Sequence, residues 1–189
     1  MRNNSTTYRL AIDSMMASLY FVLAYFAIKI GNITITPASI TIVLVSLLYS
    51  PQDAILVGLV GETINQMAKY GPSPTTVLWL IPVILRASII SFSQLVCRRK
   101  GTYLERHLVL YFLIIILAGL VTTAANTGII FLDGYLMNYP VSYTLLETLF
   151  RFLSSLITCV LVGILVLPVM KAIGKLDIKR VPYKEKSQP

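Results

Sequence analysis

Six apolar stretches separated by short polar connections make up most of the chain. At about 1.5 Å of rise per residue, all but one are long enough to cross a hydrocarbon core of about 30 Å as an α-helix. The exception, 37–49, covers only about 20 Å. The pattern predicts an all-α integral membrane protein, with one domain over 1–189 and six transmembrane helices at about 10–30, 37–49, 51–69, 74–97, 107–132 and 144–170.

Composition agrees with this prediction. Of the 189 residues, 56% are hydrophobic and only 13% are charged, and the mean hydropathy is +0.77. A soluble domain carries about 25% charged residues, so the composition excludes that class.

The net charge of +8 indicates topology rather than nucleic-acid binding. Of the 16 Lys and Arg residues, 12 fall in the two termini and the connection 98–106, which lie on one side of the six-helix arrangement. The positive-inside rule therefore predicts a multi-pass protein of the cell membrane with both termini in the cytoplasm. The basic tail 171–189 is expected to face anionic lipid, and no nucleic acid is predicted as a partner.

Polar side chains interrupt the apolar pattern of helix three along one face. Glu62, Asn65, Gln66 and Lys69 follow the i, i+3, i+4, i+7 spacing of a single helix face. Ionisable side chains at membrane depth are costly, so they face the protein interior or a wet cavity. This face is therefore predicted to line one wall of a binding site.

Helix four continues the pattern after a Gly-Pro-Ser-Pro turn at 71–74. Trp79, Pro82 and Arg86 share a face, and Pro82 is expected to kink the helix. Two polar faces joined by a short turn predict two walls of the same site.

Polar and aromatic groups of helices three to six lie at a common depth. Counted from the outer helix ends at about 1.5 Å per residue, they fall in the outer half of the bundle. We predict an outward-facing pocket for a polar small molecule, closed by the loops 31–36 and 133–143. The candidate substrate-binding residues are Glu62, Asn65, Gln66, Trp79, Arg86, Asn126, Tyr139 and Arg151.

Several candidates also have a purely structural interpretation. Glu147 and Arg151 have the i, i+4 spacing of a helix ion pair. Glu62 and Arg86 have opposite charges and are placed to neutralise each other between helices three and four. Trp79 and the loop tyrosines fit an interfacial aromatic belt.

No catalytic residue, metal ligand or cofactor is predicted. P-loop, HExxH and GxSxG patterns are absent from the sequence, so any nucleotide hydrolysis belongs to partner subunits. Cys97 and Cys159 lack metal-ligand spacing, and His107 is the single histidine. The alternatives are an intramembrane enzyme relying on carboxylates, an assembly protein, and a proton-coupled secondary transporter with Glu62 as the proton site.

Three segments resemble the substrate-binding S component of an energy-coupling-factor (ECF) vitamin transporter. They are RLAIDSMMAS in helix one, YSPQDAILVGLVGETINQ leading into helix three, and TTVLWLIPVILRASI in helix four. The resemblance extends over about 8–175. It implies a six-helix, ECF S-component-like fold in a bacterial plasma membrane.

The resemblance also implies a ligand and partners. It implies high-affinity binding of a vitamin, and docking on a transmembrane coupling subunit and two ATPase subunits. The small-residue face expected to dock comprises Ala11, Ser14, Ala17 and Ser18. Pantothenate is the favoured vitamin, because its one carboxylate suits Arg86 or Arg151. Cobalamin is the alternative, followed by folate and pyridoxine.

Overall fold

The computed structural model describes the backbone of residues 4–30, 33–73, 75–137 and 141–175, and the side chains of 7–27, 36–73, 75–136 and 148–172. Within these ranges the chain forms six α-helices and one antiparallel β-hairpin. The elements are α1 (Asn4–Tyr25), β1 (Ile28–Ile30), β2 (Ile33–Ile35), α2 (Ala38–Leu48), α3 (Pro51–Tyr70), α4 (Ile81–Arg99), α5 (Leu108–Met137) and α6 (Val141–Lys175).

The first helix is shorter at its C-terminal end than predicted. Helix α1 ends at Tyr25 rather than near residue 30, and 28–30 pairs with 33–35 in the register Ile28↔Ile35. The physical reason is the β-branched sequence IKIGNITI, in which the central Gly-Asn dipeptide favours a hairpin. The expected extended loop 31–36 is therefore mostly β2.

Ser50 and Pro51 define the start of α3. The Ser50 side chain accepts a hydrogen bond from the Asp53 backbone N–H, and the Asp53 carboxylate accepts one from the Ser50 N–H, which forms a capping box. Pro51 occupies the first turn, where a missing N–H costs nothing. Arg9 of α1 donates to both carboxylate oxygens of Asp53 at 2.9 and 2.8 Å, and so ties the start of α3 to α1.

The predicted kink at Pro82 is wrong. Helix α4 begins at Ile81, after a 3-10 turn over Leu78–Leu80, so Pro82 lies in the first turn rather than inside a helix from residue 74. The first turn tolerates the fixed φ and the missing N–H of proline. Trp79 consequently belongs to the 3-10 turn and not to α4.

The last two helices extend beyond their predicted ends. Helix α5 continues through Asp133 to Met137, and α6 starts at Val141, so helix occupies most of the predicted loop 133–143. Pro168 lies inside α6, which continues to Lys175 instead of ending near residue 170. A long membrane helix tolerates an internal proline because neighbouring groups satisfy the freed backbone.

Length and composition identify a membrane protein. Three helical segments of the described chain are long and apolar enough to cross a membrane, at Leu78–Arg99, Leu108–Leu136 and Thr148–Ala172. Helix α2 is apolar but shorter. The count of six crossings and the location of both termini in the cytoplasm stay predictions.

The helices pack in three layers. Helices α1 and α3 form the first layer, α2 and α4 the middle layer, and α5 and α6 the third. One apolar cluster joins the middle layer to α5 and α6, and a second joins it to α1 and α3. The core therefore lies on both sides of the middle layer.

The two helices of the middle layer run parallel and are bonded at both ends. Arg86 of α4 donates to Ser39 of α2, and at the other end Gln94 and Arg98 donate to the carbonyl of Leu47 at 3.1 and 2.5 Å. The offset of 47 residues is the same for the pairs Ser39–Arg86 and Leu47–Gln94, which fixes the parallel register. Gln94 and Arg98 thus satisfy a carbonyl at the C-terminal end of α2, where the helix itself offers no partner.

Candidate functional site

Glu62 lies in a buried polar cluster between α1 and α3. Its carboxylate accepts hydrogen bonds from the Tyr20 hydroxyl at 2.8 Å, from Gln66 Nε2 at 2.6 Å and from Asn65 Nδ2 at 3.2 and 3.3 Å. All four side chains are buried. The predicted face of helix three therefore exists, but it meets α1, and the Glu62 carboxylate is already bonded by three side chains, whereas the Asn65 Oδ1 has no partner among the described residues.

The close approach of α1 and α3 at this cluster depends on Gly61. A Cβ atom at Gly61 would lie 2.5 Å from Cδ1 of Tyr20 and 3.0 Å from its Cβ. The Tyr20 ring thus occupies the space that any other side chain would need, and its hydroxyl reaches Glu62. At the end of α3, Lys69 Nζ donates to the carbonyl of Ala24 at 2.6 Å and adds a further link to α1.

Arg86 has a different environment. Its guanidinium donates to the Ser39 hydroxyl, and it makes no ion pair with Glu62 or with another carboxylate of the described chain. A guanidinium carries five N–H donors, so most of its hydrogen-bonding capacity is unused within the described residues. Glu62 and Arg86 therefore form no direct ion pair, and their mutual neutralisation stays a prediction.

A small cavity lies beside Arg86, between the middle layer and the third layer. The space open to the centre of a water molecule is about 10 Å³, about enough for one water. Apolar side chains and a few polar ones form its walls: Ser39, Val43, Arg86, Ile90, Ile115, Thr158, Cys159 and Val162. The site thus combines one cation with an apolar surface.

Two polar residues of this cavity were missed by the sequence analysis. Ser39 carried no signal, because it lies in an ordinary helix start. Thr158 interrupts the apolar pattern of α6, which is a signal, but its face could not be known without the packing of α5 against α6. Thr158 lines the cavity from α6, whereas Arg86 lines it from α4 in the middle layer.

The remaining candidates are not brought together with Arg86. Trp79 is half-buried in the 3-10 turn before α4, and Asn126 is half-buried on α5. Arg151 is exposed, two turns from Thr158 on the same face of α6. Tyr139 and the side chain of Glu147 lie outside the described residues.

The predicted docking face of α1 is divided between two sides of the helix. Ala11, Ser14 and Ser18 are exposed, and each serine hydroxyl bonds to the carbonyl four residues earlier in α1. Ala17 is buried in the apolar cluster with α3. The small-residue surface that remains for a partner thus comprises Ala11, Ser14 and Ser18.

Comparison with known proteins identifies the class. Residues 8–176 match the family described as the ECF transporter substrate-specific component. The chain belongs to this family, and is therefore a substrate-binding subunit rather than an enzyme.

The solved structures agree with this assignment. One structure, titled as that of the S component of a bacterial ECF transporter, matches with a TM-score of 0.63 over 90% of this chain and 98% of that chain. The sequence identity is 14%, so this likeness shows the fold alone. No curated protein matches the sequence.

Proposed function

We propose that the chain is the high-affinity vitamin-binding subunit of an ATP-driven uptake transporter, and that Arg86 binds the anionic group of the vitamin. One observation carries the proposal: a half-buried guanidinium lies on the wall of a cavity without a carboxylate partner in the described chain. The family assignment supplies the transport role, and the cavity supplies the site.

The charge of Arg86 explains why a carboxylate ligand would bind tightly. Arg86 is half-buried and has no direct ion-pair partner among the described residues. A ligand carboxylate can form two parallel charge-assisted hydrogen bonds with the planar guanidinium. The hydrogen bond to Ser39 fixes the guanidinium at α2 on the cavity wall.

The chemistry of the cavity wall favours pantothenate among the four vitamins. It carries one carboxylate, and its branched apolar part suits the aliphatic cavity wall. Cobalamin and folate are much larger and need more room, whereas pyridoxine carries no carboxylate. These three are the alternatives, with cobalamin first.

Ligand binding requires the cavity to widen. Pockets for small molecules have volumes of about 300–1,000 Å³, far more than the present cavity. Polar bonds hold α2 and α4 together at both ends, whereas an apolar cluster joins them to α5 and α6. We therefore expect α5 and α6 to move away from the middle layer when the ligand enters.

The proposed subunit crosses the membrane six times, with both termini in the cytoplasm. It would dock on a transmembrane coupling subunit through Ala11, Ser14 and Ser18 on the exposed side of α1, and two ATPase subunits would supply energy.

The environment of Glu62 argues against the alternative function, a proton-coupled secondary transporter with Glu62 as the proton site. Three donors already bind its carboxylate, and protonation would break part of that network.

The test begins with mass spectrometry of small molecules that co-purify with the detergent-solubilised chain, followed by titration calorimetry. For the chain with pantothenate, we expect one-to-one binding. Arg86→Ala should weaken binding at least about 100-fold, because truncating one member of a buried charge pair costs about 2–5 kcal/mol.

The matched control is Arg151→Ala, which removes an exposed arginine of α6 and should change affinity less than about fivefold. Equal affinity of Arg86→Ala and the wild-type chain would contradict the role of Arg86. A chain that binds none of the four vitamins would contradict the proposed function itself.

A further inference from the structure

Thr158 differs from the other buried hydroxyls of α5 and α6. Thr122, Thr123 and Ser154 each donate to the carbonyl four residues earlier in their own helix, at 2.6, 2.9 and 2.8 Å. This is the usual way in which a hydroxyl is satisfied inside a membrane helix. Thr158, which is only 5% exposed, makes no hydrogen bond with any residue in the described part of the chain.

The position of Thr158 in the fold also points to a role in ligand binding. Thr158 lines the same cavity as Arg86, from the opposite side: Arg86 belongs to the middle layer and Thr158 to α6. The hydroxyls of Thr122, Thr123 and Ser154 are each occupied by a carbonyl of their own helix, whereas that of Thr158 is not. It is therefore able to hydrogen-bond a group that enters the cavity.

We propose that Thr158 is a ligand-binding residue that determines specificity. Arg86 and Thr158 form two ends of one site: Arg86 binds a carboxylate, and Thr158 hydrogen-bonds a hydroxyl or amide of the same molecule. The apolar side chains of Val43, Ile90 and Ile115 contact the part of the ligand in between. The ligand class is therefore a small monocarboxylate with a separate hydrogen-bonding group. This inference rests on the proposed function and adds to it the second recognition point.

The test compares three substitutions in the full-length, detergent-solubilised chain. Thr158→Val keeps the shape and removes the hydroxyl, and Thr158→Ser keeps the hydroxyl and removes a methyl group. Thr123→Val is the matched control, because Thr123 is buried to a similar extent, at 6% exposure, and its hydroxyl bonds within α5. Pantothenate is the probe in titration calorimetry, with cobalamin, folate and pyridoxine in parallel.

We expect Thr158→Val to weaken pantothenate binding about tenfold. Thr158→Ser and Thr123→Val should stay within about twofold of the wild-type affinity. In the absence of ligand, Thr158→Val should melt at the wild-type temperature or above it, because the substitution breaks no hydrogen bond within the described chain.

Any other result contradicts either the role of Thr158 or the proposed function. Unchanged affinity in Thr158→Val, with binding lost in Arg86→Ala, would overturn the role of Thr158 and leave the proposed function intact. Equal losses in Thr158→Val and Thr158→Ser would assign the effect to packing and also overturn the proposal. Failure of the wild-type chain to bind any of the four vitamins would overturn the proposed function, and the role of Thr158 with it.

Discussion

Glu62 and Arg86 are two ionisable side chains in the interior of the same membrane bundle, yet their surroundings differ. The carboxylate of Glu62 accepts hydrogen bonds from three side chains of α1 and α3. The guanidinium of Arg86 has a single serine as a partner and lies on a cavity wall. The Glu62 carboxylate thus has its partners within the chain, whereas most donors of Arg86 have none among the described residues.

The comparison shows that burial of a charged group does not by itself indicate a binding site. Membrane interiors retain polar residues for helix packing as well as for ligands. We expect the difference in hydrogen bonding to separate a packing role for Glu62 from the ligand-binding role proposed for Arg86.

The largest effect expected from the α1–α3 cluster is that of Glu62→Leu. The substitution leaves the donors of Tyr20, Asn65 and Gln66 without their acceptor, at a cost of about 3 kcal/mol. We expect a fall in melting temperature of about 10 °C in detergent, and an affinity for pantothenate within twofold of wild type.

Arg86→Met provides the opposite half of this test. It should abolish tight binding and leave the melting temperature close to that of wild type, because Arg86 makes a single hydrogen bond within the described residues. A Glu62→Leu variant with normal melting and tenfold weaker binding would make Glu62 a ligand contact and remove the distinction between the two sites.

A smaller effect is expected where α1 and α3 touch. In Gly61→Ala the new methyl group would lie 2.5 Å from Cδ1 of Tyr20, near the root of that side chain, so the ring cannot simply turn away. We expect a net loss of about 1–2 kcal/mol from this overpacking. Gly128→Ala is the control, because a Cβ there meets nothing within 4 Å. It should be neutral or stabilise α5 by up to about 1 kcal/mol. Equal melting temperatures for the two variants would disprove the close contact.

The smallest effect is that of Tyr20→Phe, which removes one of the three donors to Glu62. The expected loss of unfolding free energy is about 1 kcal/mol, with ligand affinity unchanged. Tyr25→Phe, on the exposed side of the same helix, should stay within about 0.5 kcal/mol of wild type. A Tyr20→Phe variant that unfolds like Tyr25→Phe would show that the remaining donors suffice.

The sequence predicts the number of helices better than the residues at which they begin and end. Hydrophobic stretches locate all six helices because apolar length is a strong signal in a membrane protein. Prolines are a weaker signal for helix ends and kinks, because Pro82 lies in the first turn of α4 and Pro168 lies inside α6. The hairpin at 28–35 was missed because the apolar strand β1 reads as the end of the first helix.

The candidate site could be predicted only in part. Periodicity placed Glu62 on one face with Asn65 and Gln66, and the structure has that face buried. Periodicity does not indicate which helix meets the face, so a packing cluster was grouped with the cavity. Arg86 was correctly predicted to face the interior, whereas Ser39 and Thr158 become site residues only through contacts between distant parts of the chain.

The shortness of α2 makes bilayer thickness a variable of ligand binding. Its 11 residues span about 16 Å and are almost all buried by other helices, so lipid has little contact with it. Helices α5 and α6, with 30 and 35 residues, extend about 45 and 52 Å and must tilt when the bilayer becomes thinner. The cavity lies between α2, which the bilayer barely touches, and these two helices, which it reorients. We therefore expect the affinity measured in detergent to differ from that in a membrane, and to change with the acyl-chain length of the lipid.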